Sequence, residues 1–139
     1  MSKILVDTNV LVYAKDADSE YHQASIKLLE GSGQLFITSK NLTEYYAVVT
    51  KGEKPLLRTT EALNDIEEFI SICKILYTSE ITQQKLVQLI LKYQPKGLLI
   101  HDFEIAAIAL ANDVKKLATF NRRDFQGIKE IELINLLGS

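Results

Sequence analysis

The chain has 139 residues with 47% hydrophobic and 24% charged side chains and a net charge of −2, which describes a globular domain spanning 1–139 and excludes a disordered or fibrous protein. That charge balance gives no sign of a nucleic-acid binder, so an RNA partner would need a local basic patch and metal ions to offset its phosphates. Cys73, the single cysteine, excludes an intramolecular disulfide and a thiolate zinc cluster, and no apolar run approaches the roughly 18 residues of a membrane span.

Met1-Ser2-Lys3 leads directly into Ile4-Leu5-Val6 without a signal-peptide pattern, so a cytoplasmic location is expected. The apolar, β-branched run reads as a buried strand ending at Asp7, followed by Thr8 and Asn9. Val10 to Lys15 has room for a turn or two of helix. Asp16-Ala17-Asp18-Ser19 is expected to start the next helix, with Ala24, Ile26, Leu28 and Leu29 as its apolar face up to the stop at Gly31-Ser32-Gly33. Leu35-Phe36-Ile37 is a second buried strand. Ser39 is expected to cap a helix through Val49, with Leu42, Tyr45, Tyr46 and Val49 on its buried stripe and Glu44 one position off it.

Lys51-Gly52-Glu53-Lys54-Pro55 is the clearest break in the chain. Thr59 or Thr60 should then cap a helix to about Cys73, with Leu63, Ile66, Phe69, Ile70 and Cys73 on one side. Lys74 to Tyr77 reads as a short strand. Thr82 opens a helix that buries Leu86, Leu89, Ile90 and Tyr93 and ends before Pro95-Lys96-Gly97. Leu98-Leu99-Ile100 is read as a further strand ending near Asp102, and the alanine-rich Phe103 to Ala111 as a closely packed helix. Lys116 to Phe120 is the next strand, Asn121 to Phe125 a polar turn, and Ile131 to Ile134 the last strand. Short strands alternating with helices predict an α/β three-layer sandwich whose central, mainly parallel sheet of four to five strands is covered by helices.

Ligands of such sheets bind at the carboxyl ends of the strands, where Asp7, Asp102 and the Asn121 to Asp124 turn are expected to gather. Taken singly, each is as readily a helix cap, an Asx turn or a solvated acid. Together with Glu44 they form an acidic set whose mutual repulsion a divalent cation would relieve. The set is all oxygen, and neither His22 nor His101 has zinc-like spacing, so Mg²⁺ or Mn²⁺ fits better than zinc, with phosphodiester hydrolysis the chemistry most easily supported.

Val6-Asp7-Thr8-Asn9-Val10-Leu11, Leu42-Thr43-Glu44, His101-Asp102-Phe103-Glu104-Ile105-Ala106-Ala107 and Thr119-Phe120-Asn121-Arg122-Arg123-Asp124-Phe125 resemble, in this order, the motifs of the PIN domain family and in particular its VapC-type toxins. The resemblance implies a Mg²⁺- or Mn²⁺-dependent endoribonuclease using one or two ions, usually a homodimer, inhibited by a cognate antitoxin protein. Asp7, Glu44 and Asp102 match the family's three most regular acids. Asp124 is carried over as the fourth ligand, and Asn121, where many members have aspartate, as a contact made through water. Thr8 and Thr119 match hydroxyl positions that orient water or carboxylates, with Asn9 beside them. Lys15, Lys51, Lys54, Arg58, Arg122 and Arg123 are candidates for RNA phosphate contact, and Tyr13, Tyr45 and Tyr46 for base stacking, although ordinary surface or core is the simpler reading of each. The alternatives are a PIN-type RNA-processing nuclease that is not a toxin, a non-catalytic RNA- or protein-binding module of the same fold, and a phosphotransfer domain, for which the second aspartate beside Asp7 and the late lysine are missing.

Overall fold

The computed structural model describes residues 2–31 and 33–137. Five parallel strands, β1 (Lys3–Val6), β2 (Gln34–Thr38), β3 (Lys74–Leu76), β4 (Lys116–Ala118) and β5 (Glu132–Leu133), form one sheet in the order β3-β2-β1-β4-β5. The helices are α1 (Thr8–Ala14), α2 (His22–Leu29), α3 (Ser39–Thr50), α4 (Thr59–Ile72), α5 (Glu80–Tyr93), α6 (Ile100–Ala111) and α7 (Arg122–Phe125).

Successive strand side chains point to opposite faces, and both faces are apolar, as a sheet covered on both sides requires. Leu5, Phe36 and Leu117 face one core with Leu89 of α5, Phe103 and Ile108 of α6, and Phe125 of α7. Ile4, Val6, Leu35, Ile37 and Ala118 face the other, with Val10 and Leu11 of α1, Tyr45 and Val49 of α3, and Ala62 and Phe69 of α4. Ala106, Ala107 and Ala109 of α6 are buried, which fits the close packing expected of that helix. Cys73 is buried too, and burial pushes its thiol up to about 11, leaving it inert at neutral pH.

Tyr45 is fully buried and packs edge-on against Phe69 with ring centroids 5.0 Å apart, and its hydroxyl donates to Asp65 Oδ2 at 2.7 Å. Tyr45→Phe is expected to cost about 1 kcal/mol of stability, measured by urea unfolding, because the ring stays and only the hydroxyl's hydrogen bond is lost.

Several sequence expectations are corrected. Leu98-Leu99-Ile100 is not a strand: Gly97, at φ 61°, turns the chain into a 3-10 turn (Gly97–Leu99) that leads straight into α6, and Leu98 is 82% exposed. Asp16 to Ser19 form turns, and α2 begins only at His22. The cap of α3 is Thr38 rather than Ser39, with Asn41 completing the reciprocal box. Arg58 and Ser79 precede α4 and α5, one residue before the first expected cap in one case and three in the other. Leu63, Ile70 and Tyr46 point outward, because α3 and α4 each bury a stripe narrower than their apolar sequence suggests. The Asn121 to Phe125 turn contains the short helix α7. Among the described residues, no helix is long and apolar enough to cross a membrane.

Candidate active site

Asp7 lies where the central strand ends. Its backbone N–H still bonds across to Ala118 O at 3.0 Å, while its carboxylate Oδ1 accepts from Thr8 N at 2.9 Å and so caps α1. The other oxygen, Oδ2, accepts the Thr119 hydroxyl at 2.7 Å. Thr119 is buried just beyond β4, and its oxygen in turn accepts from Asn9 Nδ2 at 3.1 Å and from Asn121 N at 3.0 Å. With two donors already aimed at it, the Thr119 hydroxyl has one free use for its proton, which is to donate to Asp7. Asn9 is held from the other end, its Oδ1 accepting from Phe120 N at 3.1 Å.

On the β2 side, buried Asn41 accepts from the backbone N–H and hydroxyl of Thr38 and donates to Thr8 Oγ1 at 2.9 Å. Its Nδ2 also lies 3.5 Å from Asp7 Oδ1. Asn41 is a positioning residue that the sequence reading did not single out. Its only signal there was a polar residue four places after the end of an apolar strand. Thr8, Asn9 and Thr119 all sit against Asp7.

Asp7, Glu44 and Asp102 line one crevice of about 600 Å³ at the carboxyl edge of the sheet, and Asn121 lines it as well. Glu44 comes from α3, and Asp102 from the first turn of α6, where the helix dipole favours a negative charge. Asp124 stands within hydrogen-bonding reach of Asp102, and its Oδ2 accepts from Asn121 Nδ2 at 2.6 Å.

These acids disturb one another. Burial pushes the Asp7 carboxyl up, against the hydrogen bonds from Thr119 and Thr8 that pull it down, and the charge of Asp124 adds to the rise. Burial and then the charge of Asp7 raise Glu44, while Thr8 and His101 pull the other way. Asp102 moves furthest: burial, then the charges of Asp124 and Asp7, push it up to about 7. Three carboxylates that resist ionisation around one crevice form a site tuned for a positive charge.

The donor set fits Mg²⁺ or Mn²⁺, since every group facing the crevice from the acidic set is an oxygen ligand. Among the described residues, no three His, Cys, Asp or Glu side chains close into a cage that would hold an ion by themselves. Mg²⁺ is commonly bound through one or two carboxylates, with water and substrate oxygens completing its shell, which an open crevice accommodates.

The basic residues are distributed differently from expectation. Lys15 pairs with Glu68 at 2.8 Å and Asp65 at 3.7 Å, Arg58 Nε with Glu61 at 3.2 Å, and Arg122 Nη1 donates to Ile134 O at 2.9 Å. Lys51, Lys54 and Arg123 are exposed, and none of the six phosphate candidates lines the crevice. Lys40, which the sequence reading passed over, does line it, together with His101. Tyr13 lines the crevice, edge-on to Phe120 at 5.4 Å, whereas Tyr45 belongs to the core and Tyr46 is exposed.

A parallel α/β sheet carries at its carboxyl edge, where ligands of such sheets bind, an acid cluster supplied by a strand end and by helices from both covering layers. The PIN domain model matches residues 4–131, so the chain belongs to the PIN domain family. Its fold is similar to that of VapBC2 from Rickettsia felis, solved bound to a DNA fragment from the promoter (TM-score 0.73, 23% identity, 96% of this chain and 98% of that one). It is also similar to DNA-bound VapBC from Salmonella typhimurium (TM-score 0.72, 25% identity, covering 98% and 99%). A third similar structure is Mycobacterium tuberculosis VapC20, described as a Sarcin-Ricin loop cleaving toxin (TM-score 0.70, 9% identity, covering 90% and 95%). A sequence search of curated proteins found no match.

Proposed function

We propose that this protein is a Mg²⁺- or Mn²⁺-dependent endoribonuclease that hydrolyses RNA phosphodiester bonds as the toxin of a cytoplasmic toxin–antitoxin pair. The observation that carries the reading is the convergence of Asp7, Glu44 and Asp102 on one crevice, each carboxyl raised by its surroundings. The toxin assignment is supported by the likeness to VapBC structures over nearly the whole chain, and the same likeness supports an antitoxin partner.

Asp7 and Asp102 would hold the ion directly, with Asp124 reached directly or through water and Asn121 through water. A bound divalent ion supplies positive charge for the phosphoryl oxygens and lowers the pKa of the attacking water. Thr119 and Thr8 N fix the rotation of the Asp7 carboxylate, so its oxygens face the crevice without reorganisation. Glu44, whose raised pKa makes it a better proton acceptor than an ordinary surface glutamate, orients and deprotonates the water.

The test is incubation of the purified protein with total RNA. Cleavage in Mg²⁺ or Mn²⁺ and its loss with EDTA are expected, and cleavage that survives EDTA overturns the metal-dependent reading. For the toxin role, expression should arrest growth, and co-expression of an adjacent small reading frame should relieve the arrest. Unimpeded growth with an active nuclease would favour an RNA-processing enzyme.

A further inference from the structure

We infer that Lys40 grips an RNA phosphate beside the scissile bond, and that Glu104 holds it ready in the free protein. The inference rests on the ribonuclease reading and assigns to that site a substrate contact made by the chain itself.

The crevice presents a problem of charge. Asp7, Glu44, Asp102 and Glu104 all line it, and an RNA strand entering it brings one negative charge per phosphate. An ion held by the acids acts at the reacting phosphate, so a flanking phosphate needs a cation from the protein. Among the described residues, Lys40 and His101 are the basic side chains that line the crevice, and Lys40 offers a compact ammonium with three donors on a long stem.

Lys40 is also held in place. It is the second residue of α3, two positions beyond Thr38, the end of the strand that pairs directly with β1, so it enters the crevice from the wall next to Asp7. Its Nζ is 3.1 Å from Glu104 Oε1. Lys40 belongs to α3 on one face of the sheet and Glu104 to α6 on the other, so the ion pair bridges the two walls of the crevice. It keeps the ammonium on the wall instead of swinging in solvent. The Lys40 side chain remains 46% exposed, and the hydroxyl-bearing residues Ser39 and Thr43 line the same wall. A phosphate oxygen arriving there can replace the carboxylate of Glu104 as partner, an exchange of one half-exposed ion pair for another that costs little.

The pair therefore makes opposite predictions for its two members. A merely structural bridge would respond in the same way to the loss of either side. If Lys40 grips phosphate, Lys40→Ala weakens RNA binding and Glu104→Gln, which frees the ammonium, tightens it.

The experiment measures two things for wild type, Lys40→Ala, Lys40→Gln, Lys40→Arg and Glu104→Gln: cleavage of total RNA in Mg²⁺, and binding of a mixed-sequence 20-nucleotide single-stranded RNA to each variant carrying Asp7→Asn, followed by fluorescence anisotropy at several salt concentrations. Lys40→Ala and Lys40→Gln should raise KM and Kd about tenfold with kcat changed by less than about twofold, the cost of one charge-assisted contact made equally in ground and transition states. The slope of log Kd against log salt should fall by about 0.7 for the one lost phosphate contact. Lys40→Arg should restore both, and Glu104→Gln should lower Kd by about two- to fivefold. Unchanged KM and salt slope in both neutral variants, with RNA still cut by the wild type, overturns the inference and leaves the ribonuclease reading intact. Failure of the wild type to cut any RNA overturns both.

Discussion

Asp7→Asn is expected to abolish RNA cleavage, lowering kcat/KM by more than about 100-fold, since even partners that only support a metal ligand are worth about 10- to 100-fold in affinity or activity. The fold should survive. Asparagine has the shape of aspartate, and the strand, α1 and both cores do not depend on the charge. The local hydrogen bonding will suffer, however. Thr8 N and the Thr119 hydroxyl both donate to the present carboxylate, and an amide offers only one oxygen, so one donor must face an NH₂ group. Thr119 cannot readily turn its proton elsewhere, because its oxygen already accepts from Asn9 and Asn121. That mismatch costs about 1 kcal/mol, while removal of a carboxylate whose ionisation burial resists returns a similar amount. The expected outcome is a melting temperature within about 3 °C of wild type without metal, no stabilisation by Mn²⁺, and no cleavage. Wild-type cleavage by the variant, with contaminating nuclease excluded, would remove Asp7 from the site.

The strand that carries Asp7 was legible because it is short, β-branched and stopped by three polar residues, and a run of that kind in the middle of a parallel sheet has no competing helical reading. Leu98 to Ile100 is the contrasting case. It is also a short apolar run before an aspartate, yet it forms a turn and a helix start, since periodicity over so few residues does not separate a strand from the beginning of a buried helix. The error did not displace Asp102 from the crevice, because a helix first turn at the carboxyl edge faces the same opening as a strand end.

Other features could not be read from the chain at all. Asn41 looks like any polar helix residue until the hydrogen bonds of Thr38, Thr8 and Asp7 are counted, and then its burial is explained. Lys40 and Glu104 are 64 positions apart by their numbering and meet only because α3 and α6 cover opposite faces of the sheet and open onto one edge. Conversely, Lys15 and Arg122 stood close in sequence to the acidic motifs and are occupied elsewhere, by carboxylates of α4 and by a carbonyl near β5. Leu63 and Ile70 fit a helical stripe, but α4 meets α3 and the sheet along Ala62, Phe69 and Cys73, which leaves the two to solvent.

Without metal, the protein is expected to become less stable as pH rises from about 5 to 8, and its apparent affinity for Mn²⁺ to move in the opposite direction. Asp102 accounts for most of this. Its carboxyl titrates near 7 in the folded protein against 3.8 in an unperturbed chain, so between those values the folded state holds a proton that the unfolded state has released. Where the folded state binds more protons, the slope of stability with pH is negative. The contribution is therefore fully present below about 4 and is lost as pH rises through about 7. The raised carboxyls of Glu44 and Asp7 act in the same sense. A shift of that size corresponds to about 4 kcal/mol at full strength, and solvent access to the crevice reduces the expected loss to about 2 kcal/mol. Metal reverses the trend, because binding must displace the proton from Asp102. Below pH 7 each unit should weaken apparent affinity up to about tenfold, approaching 100-fold between pH 7 and 5. Urea unfolding and Mn²⁺ titration across this range measure the two arms. Asp102→Asn should flatten both, giving a metal-free protein more stable than wild type at pH 8 and no longer stabilised by Mn²⁺. A wild-type stability that rises with pH without metal would show that these carboxyls ionise normally and that the crevice is not strained by its own charge.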